Sequence, residues 1–307
     1  MLHRRRALFV LGAMVLAVAP VAAQEKSSPA RLNVVASFSI LGDLVANVGG
    51  DRIALKVLVG PNSDAHVFAP SPADAKTLAA AKLVFVNGLG FEGWMTRLVK
   101  ASGSKAPLVV ATKGIAPRKM EAEEHHGHDH AEETDPHAWQ SVANAKVYVA
   151  NIRDGLIAAD PAGKEIYEKN AAAYLAKLDA MEQEVRDAVA RIAPERRRII
   201  TTHDAFGYFG AAYGVEFIAP QGVSTESEAS AKDVARIVRQ IKKLKVPAVF
   251  LENVTDPRLV KRIADETGAK IGGTLYSDAL TAPDGAAPTY LDMMRHNIRT
   301  LSAALMS

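Results

Sequence analysis

One uninterrupted helical pattern divides this 307-residue chain near its middle. Between 163 and 192, Tyr174, Leu178, Met181, Val185 and Ile192 recur at spacings of three, four and seven, with charges on the opposite side. Thirty residues rising about 1.5 Å each make a rod of roughly 45 Å. That is too long for a routine crossover connection. Pro194 closes it.

What precedes the rod is repeated after it. "RLNVVASFSILGDLVANVGGDRIALKVLVGPNS" and "RRRIITTHDAFGYFGAAYGVEFIAPQGVS" both read as strand, helix and strand. "SPADAKTLAAAKLVFVNGL" and "SAKDVARIVRQIKKLKVPAVFLENV" then add a helix and a strand to each half. The predicted fold is therefore α/β, with two similar lobes of largely parallel sheets joined by one long rigid helix. The expected boundaries are 24–162 for the first lobe, 163–193 for the connecting helix and 194–307 for the second lobe. Small ligands in such folds bind beyond the carboxyl ends of strands, here in the cleft between lobes.

The start of the chain, "MLHRRRALFVLGAMVLAVAPVAAQ", has a positive end at Arg4, Arg5 and Arg6, a short apolar run and small residues before Gln24. This is the layout of a secretory signal, with 1–23 removed and cleavage near Ala23. The apolar run falls short of the roughly 20 residues needed to span a bilayer. The paired arginines leave the twin-arginine and general export routes both open. The 37 Lys+Arg and 34 Asp+Glu of the full chain become 34 against 34 once those three arginines are gone. The basic isoelectric point is thus no argument for nucleic acid, and no basic run interleaved with aromatics exists. The chain has no cysteine, hence no disulfide and no cysteine-borne lipid anchor. A soluble, monomeric periplasmic protein stabilised by its core is expected.

Histidines carry the chemistry. His66 in "NSDAHVFAP", His137 in "ETDPHAWQS" and His203 after "RRRIITT" each follow a strand-like or loop segment in a turn-rich context. Neutral imidazole is the commonest nitrogen ligand for zinc, and three such groups nearly complete a tetrahedral shell. Ordinary structural histidines remain the alternative on spacing alone. Asp64 and Asp135 precede two of the three at the same offset, as carboxylates that orient an imidazole or as plain turn residues.

"NSDAHVFAPSPAD", "DPHAWQS", "THDAFGYFGAAYG", "QGVSTESEASAKDVARI" and "TYLDMMRHNIRTL" together resemble the zinc/manganese solute-binding proteins of ABC transporters, of the ZnuA/TroA type. The resemblance covers nearly the whole mature chain in order. It implies two α/β lobes on one rigid helix, a metal ion held between them, delivery to a membrane permease and no catalysis. By motif it places metal ligands at His66, His137 and His203, with Asp278 of "GGTLYSDAL" as the fourth. Asp64, Asp135 and Asp204 are the candidates for orienting them. Ala65 departs from the proline that relatives often carry there. The resemblance also implies glutamate at the His203 position in manganese carriers, so three nitrogens and one carboxylate point to Zn2+ as the transported ion. A manganese carrier of the same family is the alternative, and a periplasmic metallochaperone is a further candidate partner.

Other classes fit less well. Gly88-x-Gly90-x-x-Gly93 after a strand imitates a dinucleotide fingerprint, but no acid follows at the end of the next strand. An exported zinc-dependent hydrolase would need an open coordination position, which Asp278 closes, and nothing places Glu226 or Asp204 as its base. A surface adhesin would be expected to carry a lipid anchor. Finally, "EEHHGHDHAEETDPH" joins two unlike things. The loop 121–133, with His125, His126, His128 and His130, is compositionally mobile, acidic and suited to weak metal capture. His137 belongs to the site proper.

Overall fold

The computed structural model describes residues 30–119, 134–244 and 246–306. The expected signal segment 1–23 and the histidine-rich run 121–133 lie outside the described residues. From Arg31 onward the chain is one compact unit.

The first half builds a fully parallel sheet from apolar runs. These are β1 (Leu32–Phe38), β2 (Ile53–Val59), β3 (Leu83–Val86) and β4 (Leu108–Val110). Strands buried on both faces read as continuous hydrophobic stretches, and "LVFV" of β3 is buried at all four positions. The connections are α1 (Ser39–Gly49), α2 (Pro72–Ala80) and α3 (Met95–Ser102). Ser71 and Asp74 cap α2 reciprocally, with Pro72 at the first helical position, so the sequence sets this boundary locally. The strand order is β2-β1-β3-β4.

A two-residue antiparallel ribbon follows, β5 (Arg118–Lys119) against β6 (Thr134–Asp135). Next come two long helices, α4 (Val142–Ala159) and α5 (Lys164–Ala190), separated only by a 3-10 turn at Pro161–Gly163. The sequence reading assigned α5 alone. In α4 the buried Val142, Ala145, Tyr148, Val149, Ile152 and Leu156 supply the missing stripe, and Ser141 caps it by accepting from the Asn144 N–H. The bidentate Arg52–Asp160 pair fixes the turn where the chain doubles back.

The second half repeats the first. It comprises β7 (Arg198–Ile200), α6 (Gly207–Tyr213), β8 (Glu216–Ile218), α7 (Ala231–Leu244), β9 (Ala248–Glu252), α8 (Pro257–Thr267) and β10 (Lys270–Leu275). Its order, β10-β9-β7-β8, is the first sheet's order in mirror listing. In both sheets the first and third strands are neighbours, and the connection reverses direction between them. That reversal opens a crevice at the strands' carboxyl ends. A register shift between Ile271 and Thr274, where Gly273 adopts φ +129°, bends β10 just before the loop to Asp278.

The helix α9 (Tyr290–Met306) then returns to the middle. The spine α5 packs on α1 and α4 on one side and on α9 and α6 on the other. Its buried face is Tyr167, Ala171, Tyr174, Leu178, Met181, Val185 and Ala188, at alternating steps of four and three. One core runs from the first sheet through these helices to Leu275 and Leu280, while a smaller cluster around Ile237, Val249 and Ile263 serves the second sheet alone. The two lobes are thus joined through packed side chains as well as through a helix.

Candidate metal centre

Four loops converge between the sheets. His66 stands on the loop after β2, His137 two residues after β6, His203 just after β7, and Asp278 on the loop after β10. Their donor atoms all lie within 4.8 Å of one another. His137, His203 and Asp278 are fully buried, and His66 is 7% exposed.

Asp278 is the hub. Its Oδ2 lies 3.4 Å from His66 Nε2 and 3.1 Å from His203 Nε2, and its Oδ1 lies 3.5 Å from His137 Nε2. The two Nε2 atoms of His66 and His137 are 3.3 Å apart. Neither Asp278 oxygen receives a hydrogen bond. Burial raises the cost of its charge, but the facing His203 and His137 outweigh that and hold the carboxyl well below its ordinary range. The imidazoles respond in the opposite sense. Burial works against a charged His137, yet Asp278 and Asp135 keep it up at about 9. His203 is likewise held well above its usual value, with Glu252 and Asp278 overcoming burial. In this form protons supply the positive charge that the buried carboxylates require.

Two of the rings are fixed from behind. Asp135 Oδ1 sits 2.9 Å from His137 Nδ1 and also accepts that residue's backbone N–H. Glu252, the last residue of β9, brings Oε2 to 2.6 Å from His203 Nδ1. Each carboxylate faces the ring nitrogen opposite Asp278, which orients Nε2 toward the centre and raises the ring's basicity. Asp64 behaves differently. Its Oδ1 accepts the His66 backbone N–H and its Oδ2 accepts from Thr225 Oγ1, so it holds the loop instead of the ring. Asp204 is pushed up by burial and by Asp135, and its backbone N–H binds Gly222 O. Among the described residues its carboxylate makes no hydrogen bond to His203. Sequence reasoning missed Glu252. The only available signal was an acid ending the apolar run "VPAVFLE".

Aromatic rings close one side. Phe91 packs edge-on to His66 at 4.7 Å, Trp139 to His137 at 5.2 Å, and Phe38 touches both Phe91 and Trp139. The "GLGFEG" glycines therefore shape a turn that delivers Phe91. Gly88 and Gly90 have φ of +88° and +85°, and buried Glu92 pins the turn by accepting from Asn87 N, Gly88 N and Ser37 Oγ. His296 is structural, with Nε2 2.9 Å from Thr274 O. His125, His126, His128 and His130 lie outside the described residues.

The profile of the family described as "Zinc-uptake complex component A periplasmic" (ZnuA) matches residues 34–304. The chain belongs to this family. It is a metal-binding, substrate-binding protein of the ABC-transporter type, and the family consists of solute-binding transport proteins that work with a membrane permease, not of enzymes. The manganese-binding lipoprotein MntA of Halalkalibacterium halodurans is 35% identical over 274 residues, 89% of this chain and 88% of the relative. The iron-binding protein YfeA of Yersinia pestis is 31% identical over 302 residues, 97% and 95% of the two chains. The solved periplasmic zinc-binding protein TroA of Treponema pallidum superposes with a TM-score of 0.82 at 32% identity, covering 90% of this chain and 99% of that one. Its likeness supports the two-lobe architecture read from the repeat. Some relatives are named as lipoproteins, so the expectation of an unanchored protein finds no support among them. No helix among the described residues is long and apolar enough to cross a membrane.

Proposed function

We propose that this chain is exported to the periplasm, captures Zn2+ between lobes 24–162 and 194–307, and passes it to an ABC permease. His66, His137, His203 and Asp278 are the ligands in this reading. Asp278 is the observation that carries it. A fully buried carboxylate is costly unless positive charge faces it, and here three imidazole nitrogens surround the same point, so that either their protons or a bound cation must supply that charge. Zinc–nitrogen bonds of about 2.0–2.1 Å in a tetrahedron place neighbouring donors about 3.3 Å apart. The separations given above run from 3.1 to 3.5 Å through one or the other Asp278 oxygen, and one donor atom from each of the four residues lies within 4.8 Å of all the others.

Manganese is the second reading, favoured by the name of MntA and by the inward position of both Asp278 oxygens. A carboxylate that binds through both oxygens raises the coordination number and the oxygen share, which suits manganese. X-ray absorption on the zinc-loaded protein tests the geometry, with four light donors near 2.0 Å expected. Competition titration tests the cargo: manganese displacing zinc at comparable concentrations would overturn the zinc reading, because nitrogen-rich sites ordinarily rank zinc above manganese.

A further inference from the structure

The four proposed ligands are not held alike. His137 and His203 are each gripped through the ring nitrogen opposite the site, by Asp135 and Glu252. The Nδ1 of His66 has no such partner among the described residues. His66 is also the one ligand with measurable exposure, and of the four it alone lines the cavity of about 580 Å3 at the front of the site. That cavity is walled by Leu89–Phe91 and Pro136 from the first lobe and by Val223, Ser224 and Glu226 from the second. Buried neighbours cover the other three. The side of this centre nearest solvent is therefore the His66 side.

His66 is restrained through its backbone instead. Asp64 Oδ1 accepts its N–H at 2.9 Å, and Oδ2 of the same carboxylate accepts from Thr225 Oγ1 at 2.6 Å. Asp64 and Thr225 are 161 positions apart and stand on opposite lobes. The bond is short and one partner is a carboxylate, which places it among the stronger side-chain hydrogen bonds. The Thr225 loop also carries Ser224 and Glu226, which wall the cavity.

We infer that Thr225 is a positioning residue: its hydroxyl latches Asp64 across the cleft, holds the His66 loop down and thereby sets the rate at which the metal leaves. The inference rests on the metal-capture reading above. Releasing the latch frees the ligand with the weakest grip, on the side nearest solvent, while the His137, His203 and Asp278 arrangement stays intact. Dissociation accelerates, and the equilibrium fold does not depend on it.

The experiment compares wild type, Thr225→Val and Thr225→Ser in the mature protein. Each is loaded with zinc and chased with excess chelator in a stopped-flow instrument. Valine keeps the shape without the hydroxyl; serine restores the hydroxyl. Loss of one charge-assisted hydrogen bond is expected to speed zinc release by up to roughly 10- to 150-fold in Thr225→Val, with Thr225→Ser near the wild-type rate. Hydrogen exchange at the His66 amide, followed in the metal-free protein, should rise in Thr225→Val only. Release from Thr225→Val within about twofold of wild type, or from Thr225→Ser as fast as from Thr225→Val, overturns the latch. A wild type that takes up no zinc overturns the metal-capture reading itself.

Discussion

Glu252 Oε2 lies 2.6 Å from Nδ1 of His203, and the other oxygen of that carboxylate accepts the backbone N–H groups of Thr202 and His203. This meeting follows from the strand order, since β7 and β9 are adjacent where the second sheet reverses direction. The first sheet has a counterpart at the same place, with Glu92 accepting from Ser37 Oγ and Asn87 N. There the carboxylate fixes a turn instead of an imidazole. Both lobes thus bury one acid at the reversal, and only the second lobe uses it on a proposed ligand.

Glu252→Gln should therefore weaken zinc binding by roughly 10- to 100-fold, the usual effect of removing a carboxylate behind a ligating histidine. Competition with a chromophoric chelator measures it, and circular dichroism checks that the fold persists. Unchanged affinity in a folded variant would show that His203 needs no such support.

The metal-free protein should lose stability toward alkaline pH. His137 is raised to about 9, so its contribution is complete below the unfolded value near 6.5 and disappears as pH rises through about 9. Asp278 acts at the other end: its contribution is present above the ordinary carboxyl value and is lost as pH falls through its depressed one. Zinc affinity should climb over the alkaline interval, because the ion displaces protons from the imidazoles. Thermal melts across pH 6–10 test the first expectation. Calorimetry in buffers of different ionisation enthalpy tests the second, and binding without proton release would contradict it.

His66→Ala and His203→Ala are each expected to abolish tight zinc binding, and deletion of 121–133 to leave it largely intact. Equilibrium titration distinguishes them directly. A deletion as damaging as a ligand change would move the main site into the histidine-rich run.

Zinc should change the overall shape little. Across the cleft, Trp139 Nε1 and Gln140 Nε2 both donate to Ser277 O, Tyr290 OH donates to Trp139 O, and Leu280 N donates to Ser39 Oγ. These bonds join the lobes without any metal, and the spine packs on both sides of the cleft. X-ray scattering with and without zinc should give nearly superimposable profiles. A large change in radius of gyration, of the kind that hinge proteins show on closing, would refute a small closure.

Much of this protein is written in local pattern. The apolar runs of β1 and β3, the capping box at Ser71 and the four-three stripe of α5 are each determined within a few turns of chain, so the repeat and its dividing helix were legible directly. The histidines could be picked out by context for the same reason. The helix α4 carries a comparable stripe, with Val142, Ala145, Tyr148, Val149, Ile152 and Leu156 buried, but polar Asn144, Lys146, Asn151, Arg153 and Asp154 interrupt its apolar run, and its burial rests on packing against α5 and α1.

What the tertiary structure alone decided is which distant groups meet. His66, His137, His203 and Asp278 come from four loops in two lobes, and their separations are set by the relative placement of two sheets. The same holds for Glu252 behind His203, for Asp64 turning to Thr225 instead of the His66 ring, and for Trp139 and Gln140 on Ser277. Local sequence can specify a strand, a cap or a turn, because those bonds close within a few residues. A contact between residues more than a hundred positions apart is fixed only when the whole core packs. In this protein the chemistry depends on such contacts.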